Sequence, residues 1–354
     1  MVKMSDTMLA AVFKGNGRLV LEDRPVPKVK KPNDVLLAVK GVGVCGTDLH
    51  ILEVPPRHPA TENVIMGHEF TGEVVEVGSQ VTNCKPGDRV VVDQNAACGH
   101  CDECRRGYPN ACLTVFSAPV PGFCNTPGIF HDGALAKYIV VPDYMLYPVG
   151  PHVPWRHLAI AETVACAFNA LRKANPELGE TAVVLGAGPV GLLLTAMLKG
   201  SGVRVITSEV APARAQIARK VGADLVVNPR EQDLQEVVLA ETKGRGADVV
   251  LEAVGPLLNE CIELARFGGR VVLFGHDELA RPAVPQALIM RKELQISGVF
   301  LTKYTFAPAV DLLEQGKLPM DDIVSHVMPL PSIFQAHDMM RAGEAVKVVI
   351  DPTI

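Results

Sequence analysis

Aromatic side chains are scarce in this sequence: phenylalanine, tryptophan and tyrosine together make up 5% of its residues. Proteins that bind single-stranded nucleic acid usually stack the bases on such side chains. Basic residues are not in excess either, because 34 Lys and Arg are set against 39 Asp and Glu, for a formal net charge of -5. This charge balance gives no indication of the basic surface with which proteins bind the phosphate backbone of nucleic acids. We therefore expect no nucleic-acid partner, and chemistry on small molecules instead.

The sequence also offers little that would direct it out of the cytoplasm or into a membrane. Its first 17 residues lack the apolar core and the small-residue cleavage site of a signal peptide. One run, Thr181 to Leu198, holds 18 uncharged residues, near the lower limit for a membrane span. Three glycines and a proline at its centre instead favour a buried strand, a turn and a buried helix. We expect a cytoplasmic protein, in which close-set cysteines more often bind metal than form disulfides.

The pattern of apolar residues changes near Trp155. Before it, short runs of alternating polarity predict antiparallel β-structure, as in "DVLLAVKGVGVCG", "FTGEVVEVG", "GDRVVV" and "ALAKYIVVP". After it, strands alternate with helices of crossover length, which predicts a parallel doubly wound sheet. The six predicted strands are 182–185, 203–207, 225–227, 248–252, 271–274 and 295–299, followed by a helix near 305–316 and a last strand, "AVKVVID".

A glycine motif opens this second half. "VVLGAGPVG" places Gly186, Gly188 and Gly191 as G-x-G-x-x-G after a strand and before a helix. The glycines permit a tight turn, close approach of a pyrophosphate and packing of the helix on the sheet. Glu209 ends the next strand, 18 residues past Gly191, where a carboxylate can bind ribose hydroxyls and repel a 2′-phosphate. We expect NAD, with NADP kept open because Arg214 could contact either group. The predicted cofactor-binding residues are Gly186, Gly188, Pro189, Val190, Gly191, Glu209 and Arg214.

Four cysteines lie within fifteen residues in "CGHCDECRRGYPNAC", spaced C-x2-C-x2-C-x7-C. Thiolates at these intervals can surround one tetrahedral ion, and four sulfur ligands leave no open position for a substrate. A redox C-x-x-C pair would explain only two of the four cysteines, and disulfides suit the expected compartment poorly. The favoured interpretation is a structural zinc bound by Cys98, Cys101, Cys104 and Cys112.

A second set of residues with metal-ligand chemistry lies upstream and far downstream. "VCGTDLH" supplies Cys45, and "GHEF" supplies His68 and Glu69. Glu162 interrupts an apolar helical pattern, and a buried carboxylate needs a partner such as a metal. Cys166, one helical turn later, is a weaker candidate. Each residue alone has an ordinary structural explanation, but together, beside a dinucleotide motif, they favour a zinc site.

These motifs together resemble the zinc-containing medium-chain dehydrogenase/reductase family, the alcohol dehydrogenase-like group, over nearly the whole chain. The resemblance rests on "CGTDLH", "GHEFTGEVVEVG", "GDRVVV", the four-cysteine segment, "DGALAKYIVVP" and "VVLGAGPVG". It implies an α/β fold with a GroES-like β-rich catalytic domain and a Rossmann domain with a six-stranded parallel sheet. The expected ranges are 1–155 for the catalytic domain, with a structural-zinc lobe at 94–113, 156–299 for the NAD-binding domain, and 300–354 for a segment returning to the first.

The resemblance also implies a role for each residue of the second set. Cys45 and His68 would hold a catalytic zinc, with Glu69 or Glu162 as a further ligand. Two zinc ions per chain are therefore expected.

In the same resemblance, three residues close to Cys45 would support the chemistry. Thr47 and His50 resemble a relay that carries the alcohol proton to solvent, and Asp48 resembles the acid that orients His68. Physical chemistry agrees, because a zinc with an open position lowers the pKa of a bound alcohol, and histidine is the only side-chain type nearby whose unperturbed pKa lies near neutral pH.

The expected activity is NAD-dependent oxidation of a secondary alcohol, a polyol or sugar-derived alcohol, to a ketone. Gly46 departs from the liver-type alcohol dehydrogenases, which have a basic residue there, and Leu301 replaces the substrate-binding arginine of sorbitol-type enzymes. The alternatives are a threonine 3-dehydrogenase-like or amino-cyclitol dehydrogenase activity and, from a different class, a non-catalytic NAD-binding protein. A homotetramer or homodimer is expected from the resemblance alone.

Overall fold

The computed structural model describes residues 6–354, which form two compact units. Within the described residues, the first unit comprises 6–162, 302–317 and 324–354, and the second comprises 163–301 and 318–323. Residues 318–323, expected within the returning C-terminal segment, thus belong to the second unit.

Fifteen strands are present in the described chain. They are β1 Thr7–Phe13, β2 Leu19–Pro25, β3 Asp34–Gly43, β4 Glu69–Val77, β5 Arg89–Val92, β6 Tyr138–Pro142, β7 Leu146–Pro148, β8 Thr181–Leu185, β9 Arg204–Ser208, β10 Leu225–Val227, β11 Ala247–Glu252, β12 Ala265–Leu273, β13 Gln295–Gly298, β14 Val324–Pro329 and β15 Lys347–Asp351.

Twelve α-helices accompany these strands within residues 6–354. They are α1 Gly46–Ile51, α2 Asp102–Arg105, α3 Trp155–Leu158, α4 Ala161–Ala174, α5 Pro189–Gly200, α6 Pro212–Lys220, α7 Leu234–Glu241, α8 Leu258–Leu264, α9 Gln286–Lys292, α10 Phe306–Glu314, α11 Met320–Ile323 and α12 Ile333–Ala342. Three short 3-10 helices cover Pro109–Ala111, Asp143–Met145 and Leu330–Ser332.

The first unit is built on a mixed sheet of seven strands in the order β14-β15-β3-β4-β5-β7, with β6 also pairing with β3. β14 and β15 are parallel, and the remaining neighbours are antiparallel. A β1–β2 hairpin adds a two-stranded sheet. Alternating residues of these strands point into one apolar core, which includes Val12, Val39 and Ile350. This is the GroES-like β-rich architecture expected from the sequence.

The second unit contains six parallel strands in the order β10-β9-β8-β11-β12-β13. Strand order reverses beside β8, and ligands of such sheets bind at the carboxyl ends of the strands near this point. β8 is buried along its whole length, as expected for a central strand covered by helices. The predicted Rossmann fold is confirmed.

The apolar run that begins at Thr181 is divided between two elements. β8 takes its first five residues, and α5 begins at Pro189 with the turn between them. Among the described residues, no helix has the length and apolar character needed to cross a membrane.

Candidate metal centres and cofactor site

The pairing of β3 with β4 brings the upstream ligand-type residues together. Gly43, the last residue of β3, is the partner of Glu69, the first residue of β4. Cys45 follows β3 by two positions and His68 directly precedes β4, so the register places both beside Glu69. One ligand atom from each of Cys45, His68 and Glu69 lies within 4.8 Å of the others.

This donor set fits a zinc ion. Thiolate sulfur, imidazole nitrogen and carboxylate oxygen are its usual protein ligands, at about 2.0–2.3 Å from the metal. His68 is 6% exposed and Glu69 1%, so the ion would be largely shielded, with Cys45 half-buried. Three protein ligands leave a position open, as in catalytic zinc sites.

Asp48 lies behind His68, as expected for an orienting acid. Its Oδ1 is 3.3 Å from Nδ1 of His68, although the two atoms are not aligned as a hydrogen bond. Its Oδ2 accepts a hydrogen bond of 2.9 Å from the backbone N–H of Cys45. Burial acts to raise the pKa of Asp48, but the charge of His68, together with these contacts, lowers it. The lowered pKa favours the anionic form of Asp48, which is hydrogen-bonded to the backbone of Cys45 and lies within ion-pair distance of His68.

Thr47 and His50 lie on the same short helix, α1, three positions apart and thus on neighbouring surface positions. The Thr47 hydroxyl is 3.7 Å from the Cys45 sulfur, and both Thr47 and His50 are half-buried. α1 thereby presents a hydroxyl beside the ligand set and an imidazole one turn further on.

Glu162 is not part of the group formed by Cys45, His68 and Glu69. It lies half-buried in the first turn of α4. Its charge nonetheless acts on Lys347 and on Asp93. Cys166, the weaker candidate, is buried in the same helix and likewise lies outside the group.

Lys347 is a residue of the candidate metal centre that the sequence analysis missed. Its Nζ lies 2.7 Å from each carboxylate oxygen of Glu69, and both side chains are 2% exposed. Burial acts to lower the pKa of Lys347, but the charges of Glu69 and then Cys45 raise it. The sequence feature that could have identified Lys347 is its position as the one charged residue within the apolar run "AVKVVI".

A glycine makes room for this ion pair. A Cβ at Gly43 would lie 2.6 Å from Oε2 of Glu69 and 3.2 Å from Cε of Lys347. Since real Cβ atoms do not approach so closely, any side chain at position 43 would displace the pair.

Asp93 is a second residue that the sequence analysis did not single out. It is 7% exposed, and its Oδ1 accepts a hydrogen bond of 3.2 Å from the backbone N–H of Asn95. Burial raises the pKa of Asp93 to about 7, since the opposing effect of the Asn95 N–H is smaller and Glu162 adds a further upward effect. Asp93 lines a cavity of about 320 Å³ together with Tyr147 and Thr302.

The four cysteines of the lobe converge as predicted from their spacing. The sulfur of Cys104 lies 4.0 Å from that of Cys98 and 3.5 Å from that of Cys101, and Cys101 lies 3.9 Å from Cys112. The edges of a tetrahedron with Zn–S bonds of about 2.3 Å would be about 3.8 Å long. No cysteine of the described chain forms a disulfide.

Backbone N–H groups favour the thiolate form of Cys98 in this lobe, whereas burial raises the pKa of Cys104 to about 12. The N–H groups of His100 and Cys101 lower the pKa of Cys98 to about 5. The N–H of Cys101 lies 3.4 Å from the Cys98 sulfur, and the N–H of Cys98 lies 3.4 Å from the Cys112 sulfur. Such N–H···S contacts stabilise negative charge on sulfur, which is the state that binds metal.

The glycine motif adopts the geometry its spacing predicts. Gly186 has φ of +93°, a conformation that favours glycine, and Gly188 is the residue before the first turn of α5. A Cβ at Gly191 would lie 1.9 Å from the carbonyl oxygen of Gly186, so only glycine allows this packing. Pro189 and Val190 form the first turn of α5, whose N–H groups and dipole favour a phosphate.

Glu209 follows β9 directly and reaches back to the glycine turn. Its Oε2 accepts a hydrogen bond of 2.7 Å from the Ala187 N–H, and its Oε1 accepts one of 2.8 Å from the Ala211 N–H. The carboxylate therefore also fixes the turn. Arg214 lies half-buried in α6.

Comparison with known protein families agrees with both units. Residues 31–151 match the model of the alcohol dehydrogenase GroES-like domain, and residues 189–315 match that of the zinc-binding dehydrogenases. The chain belongs to the zinc-containing medium-chain dehydrogenase/reductase family. It is therefore an oxidoreductase, and the resemblance inferred from the sequence motifs is confirmed.

Individual members of the family are similar to this dehydrogenase over nearly its whole length. An erythritol/L-threitol dehydrogenase of Mycolicibacterium smegmatis is 34% identical, with 99% of each chain covered. D-xylulose reductase A of Aspergillus niger is 32% identical, covering 97% of this chain and 96% of its own. Among solved structures, a zinc-binding dehydrogenase of Sinorhizobium meliloti 1021 bound to NADP has a TM-score of 0.90 at 29% identity, covering 98% of this chain and 100% of its own.

Proposed function

We propose that this dehydrogenase oxidises a secondary alcohol of a small polyol or sugar-derived alcohol to a ketone, with zinc and NAD⁺ as cofactors. The observation that carries the proposal is the convergence of Cys45, His68 and Glu69 beside the buried Asp48. The similarity to a tetritol dehydrogenase and to a reductase of a pentulose supports the substrate class.

In this proposal, Cys45 and His68 hold the catalytic zinc, with Glu69 or Glu162 as a further ligand. The zinc, when bound, would act as a Lewis acid that favours loss of the alcohol proton. Asp48 holds His68 in the ligating tautomer and orientation. Thr47 accepts the proton at its hydroxyl oxygen as it passes its own proton towards His50, whose imidazole exchanges it with solvent.

The second unit supplies the nicotinamide site in this proposal. Gly186, Gly188, Pro189, Val190 and Gly191 receive the pyrophosphate at the start of α5. Glu209 favours NAD over NADP because its charge repels a 2′-phosphate, and Arg214 contacts the adenosine ribose. Because a similar structure is bound to NADP, the relative activity with NAD⁺ and NADP⁺ is the first property of this proposal to measure.

Four further properties belong to the same proposal. Cys98, Cys101, Cys104 and Cys112 bind a structural zinc, the second of two per chain. The division into a catalytic and an NAD-binding domain is that of the sequence analysis, with the NAD-binding domain adjusted to the compact unit 163–301 and 318–323. The chain works in the cytoplasm, in agreement with the lack of a disulfide among residues 6–354, and forms a homodimer or homotetramer.

The proposal is tested with zinc-loaded protein and a panel of erythritol, L-threitol, xylitol, L-threonine and an amino-cyclitol, following the absorbance of reduced nicotinamide. We expect turnover of at least one polyol with NAD⁺, and loss of that turnover in Cys45→Ala. Cys84→Ala, which removes another buried thiol of the same unit, is the matched control and should remain active. Oxidation of threonine or the amino-cyclitol without any polyol would replace the leading substrate class.

A protein that only binds NAD would behave differently. It would bind NAD⁺ in calorimetry, but no alcohol of the panel would reduce the nucleotide in the presence of zinc. That result, with two zinc ions bound, would refute the catalytic proposal.

A further inference from the structure

A cleft of about 440 Å³ lies within the first unit, and neither Glu69 nor Lys347 lines it. Residues 16–19 of the β1–β2 turn form one wall, and Leu52, directly after α1, forms another. Four residues of α12 complete it: Phe334, His337, Asp338 and Arg341. No role in the proposed reaction uses this cleft.

Basic side chains outnumber acidic ones in this cleft. Arg18 and Arg341 both line it, and Asp338 is its one carboxylate. Arg341 is 3.5 Å from Asp338, in a pair whose side chains are largely exposed and which is therefore weak. Arg18 has no ion pair with any residue of 6–354. Arg18 is exposed to solvent, so its guanidinium group is available to an anionic ligand.

His337 adds a buried polar group to the same cleft. His337 is 2% exposed, and its Nε2 atom makes no hydrogen bond within the part of the chain that the structure describes. Burial lowers the pKa of His337, with Asp48 and Arg341 acting on it in opposite directions. A buried ring nitrogen without a partner costs free energy, which a bound ligand or water can recover.

Apolar surface surrounds these polar groups. Leu19, Leu52 and Phe334 line the cleft, so a ligand with an anionic head and a short carbon body would contact both kinds of surface. Arginine side chains present planar N–H pairs that match the oxygens of phosphate and carboxylate groups.

The cleft also lies close to the candidate zinc site. His337 acts electrostatically on Asp48, and Asp48 contacts His68. His337 of the cleft therefore acts on the carboxylate that lies beside the proposed zinc ligand His68.

We propose that this cleft is a binding site for a small oxyanion, a phosphate or carboxylate group, with Arg18 and Arg341 as its donors and His337 at its base. The site is distinct from the nucleotide site in the second unit and does not depend on the proposed polyol activity. Its position behind Asp48 gives an occupant a route to influence the metal centre.

The test is isothermal titration calorimetry of the zinc-loaded full chain with inorganic phosphate. Saturating NAD⁺ occupies the nucleotide site, and chloride keeps the ionic strength constant because screening would otherwise mimic competition. We expect one saturable site per chain. Arg18→Gln and Arg341→Gln should each weaken binding roughly three- to tenfold, since each removes one charge-assisted donor at a partly solvated site.

Three further variants test the charge and the position of the site. Asp338→Asn should tighten phosphate binding, because it removes repulsion and releases Arg341. His337→Phe keeps an aromatic ring of similar size and should weaken binding. Arg219→Gln, an exposed arginine at the end of α6, is the matched control and should leave binding unchanged.

A parallel titration with succinate distinguishes the two sources of an oxyanion. Tighter binding of succinate assigns the site to carboxylates, and tighter binding of phosphate assigns it to phosphate groups. The proposal is overturned if neither anion gives a saturable signal. It is equally overturned if the signal persists unchanged in Arg18→Gln and Arg341→Gln, because the anion then binds elsewhere, for instance at zinc. Heat of binding is the readout, so a failure of the polyol assay leaves this result interpretable.

Discussion

Replacing Lys347 by methionine should destabilise the first unit strongly. The Lys347 ammonium group is 2.7 Å from both oxygens of Glu69, and both side chains are 2% exposed. Removing one member of such a pair leaves a buried charge without compensation, which costs about 3–5 kcal/mol. Exposed ion pairs, by contrast, contribute about 0–1 kcal/mol.

The chain contains a convenient reporter for this measurement. Its single tryptophan, Trp155, lies in α3 of the first unit, with the Arg89 guanidinium 3.9 Å from the ring centre. Tryptophan fluorescence during urea unfolding, at fixed zinc concentration, therefore follows the unit that contains the ion pair. Free energies of unfolding come from the midpoint and slope of that transition.

Two further variants decide whether the ion pair is the cause. The double variant Lys347→Met with Glu69→Gln should lose less stability than Lys347→Met alone, because it leaves no unpaired charge. Lys40→Met is the matched control, since Lys40 on β3 is 4.0 Å from Glu73 on β4 with both side chains substantially exposed, and should cost less than about 1 kcal/mol. Equal effects of Lys347→Met and Lys40→Met would refute the reasoning, as would strict additivity in the double variant.

Three other predictions concern metal, cofactor and pH. Cys112→Ser should lose one zinc equivalent by elemental analysis and have a lower melting temperature. Cys45→Ser should lose the other zinc equivalent and the activity, with a smaller decrease in melting temperature. Loss of the same zinc equivalent in both variants would contradict the existence of two sites. Glu209→Gln keeps a hydrogen-bond acceptor but removes the charge, so the ratio of kcat/KM for NADP⁺ to kcat/KM for NAD⁺ should rise about tenfold, a change of about 1.4 kcal/mol. An unchanged ratio would show that Glu209 does not determine the preference for NAD⁺ over NADP⁺. Burial raises the pKa of Asp93 from 3.8 to about 7, so the stability that the neutral acid contributes is present below about pH 4 and is lost as the pH rises through about 7. At about pH 8, Asp93→Asn should therefore be more stable than the parent protein by up to about 4 kcal/mol, since each pKa unit corresponds to about 1.4 kcal/mol. If urea unfolding of the two proteins showed the same dependence on pH, the raised pKa of Asp93 would be refuted.

Features that depend on residues close together in the sequence could be predicted from the sequence alone. The turn at Gly186 and the packing of Gly191 depend on residues a few positions apart, so the sequence contains the whole motif. Five of the six strands of the second unit were predicted to within one residue of their observed bounds, because each is a short apolar run between helices; the exception is β12, which begins six residues earlier than predicted. The convergence of Cys98 and Cys112 likewise follows from spacing within one loop.

Some boundaries were missed because tertiary pairing outweighs local preference. The segment from Leu257 to Gly268 has helical spacing, yet α8 ends at Leu264 and β12 begins at Ala265. Pairing of β12 between β11 and β13 extends the strand into residues that the pattern assigns to a helix. The short helix α1 was not predicted either, since six residues are too few to show a period.

Contacts between distant residues could not be predicted from one sequence. Glu69 and Lys347 are 278 positions apart, and nothing near either residue identifies the other. His337 illustrates the same limit, because α12 gives a reason for its burial but not for its position beside Asp48. The register that places His68 beside Cys45 is likewise a property of the folded sheet.

The pairing of β15 with β3 has a consequence for biosynthesis. Val44 donates a hydrogen bond to Val348, and Glu69 receives its cation from Lys347, so the first unit needs a strand that the ribosome adds about 280 residues after Glu69. All six strands of the second sheet have by then emerged, since they end at Gly298. The unit that begins to be translated first is therefore completed after the second sheet, and until β15 is synthesised the carboxylate of Glu69, a proposed zinc ligand, lacks the ammonium group that neutralises it.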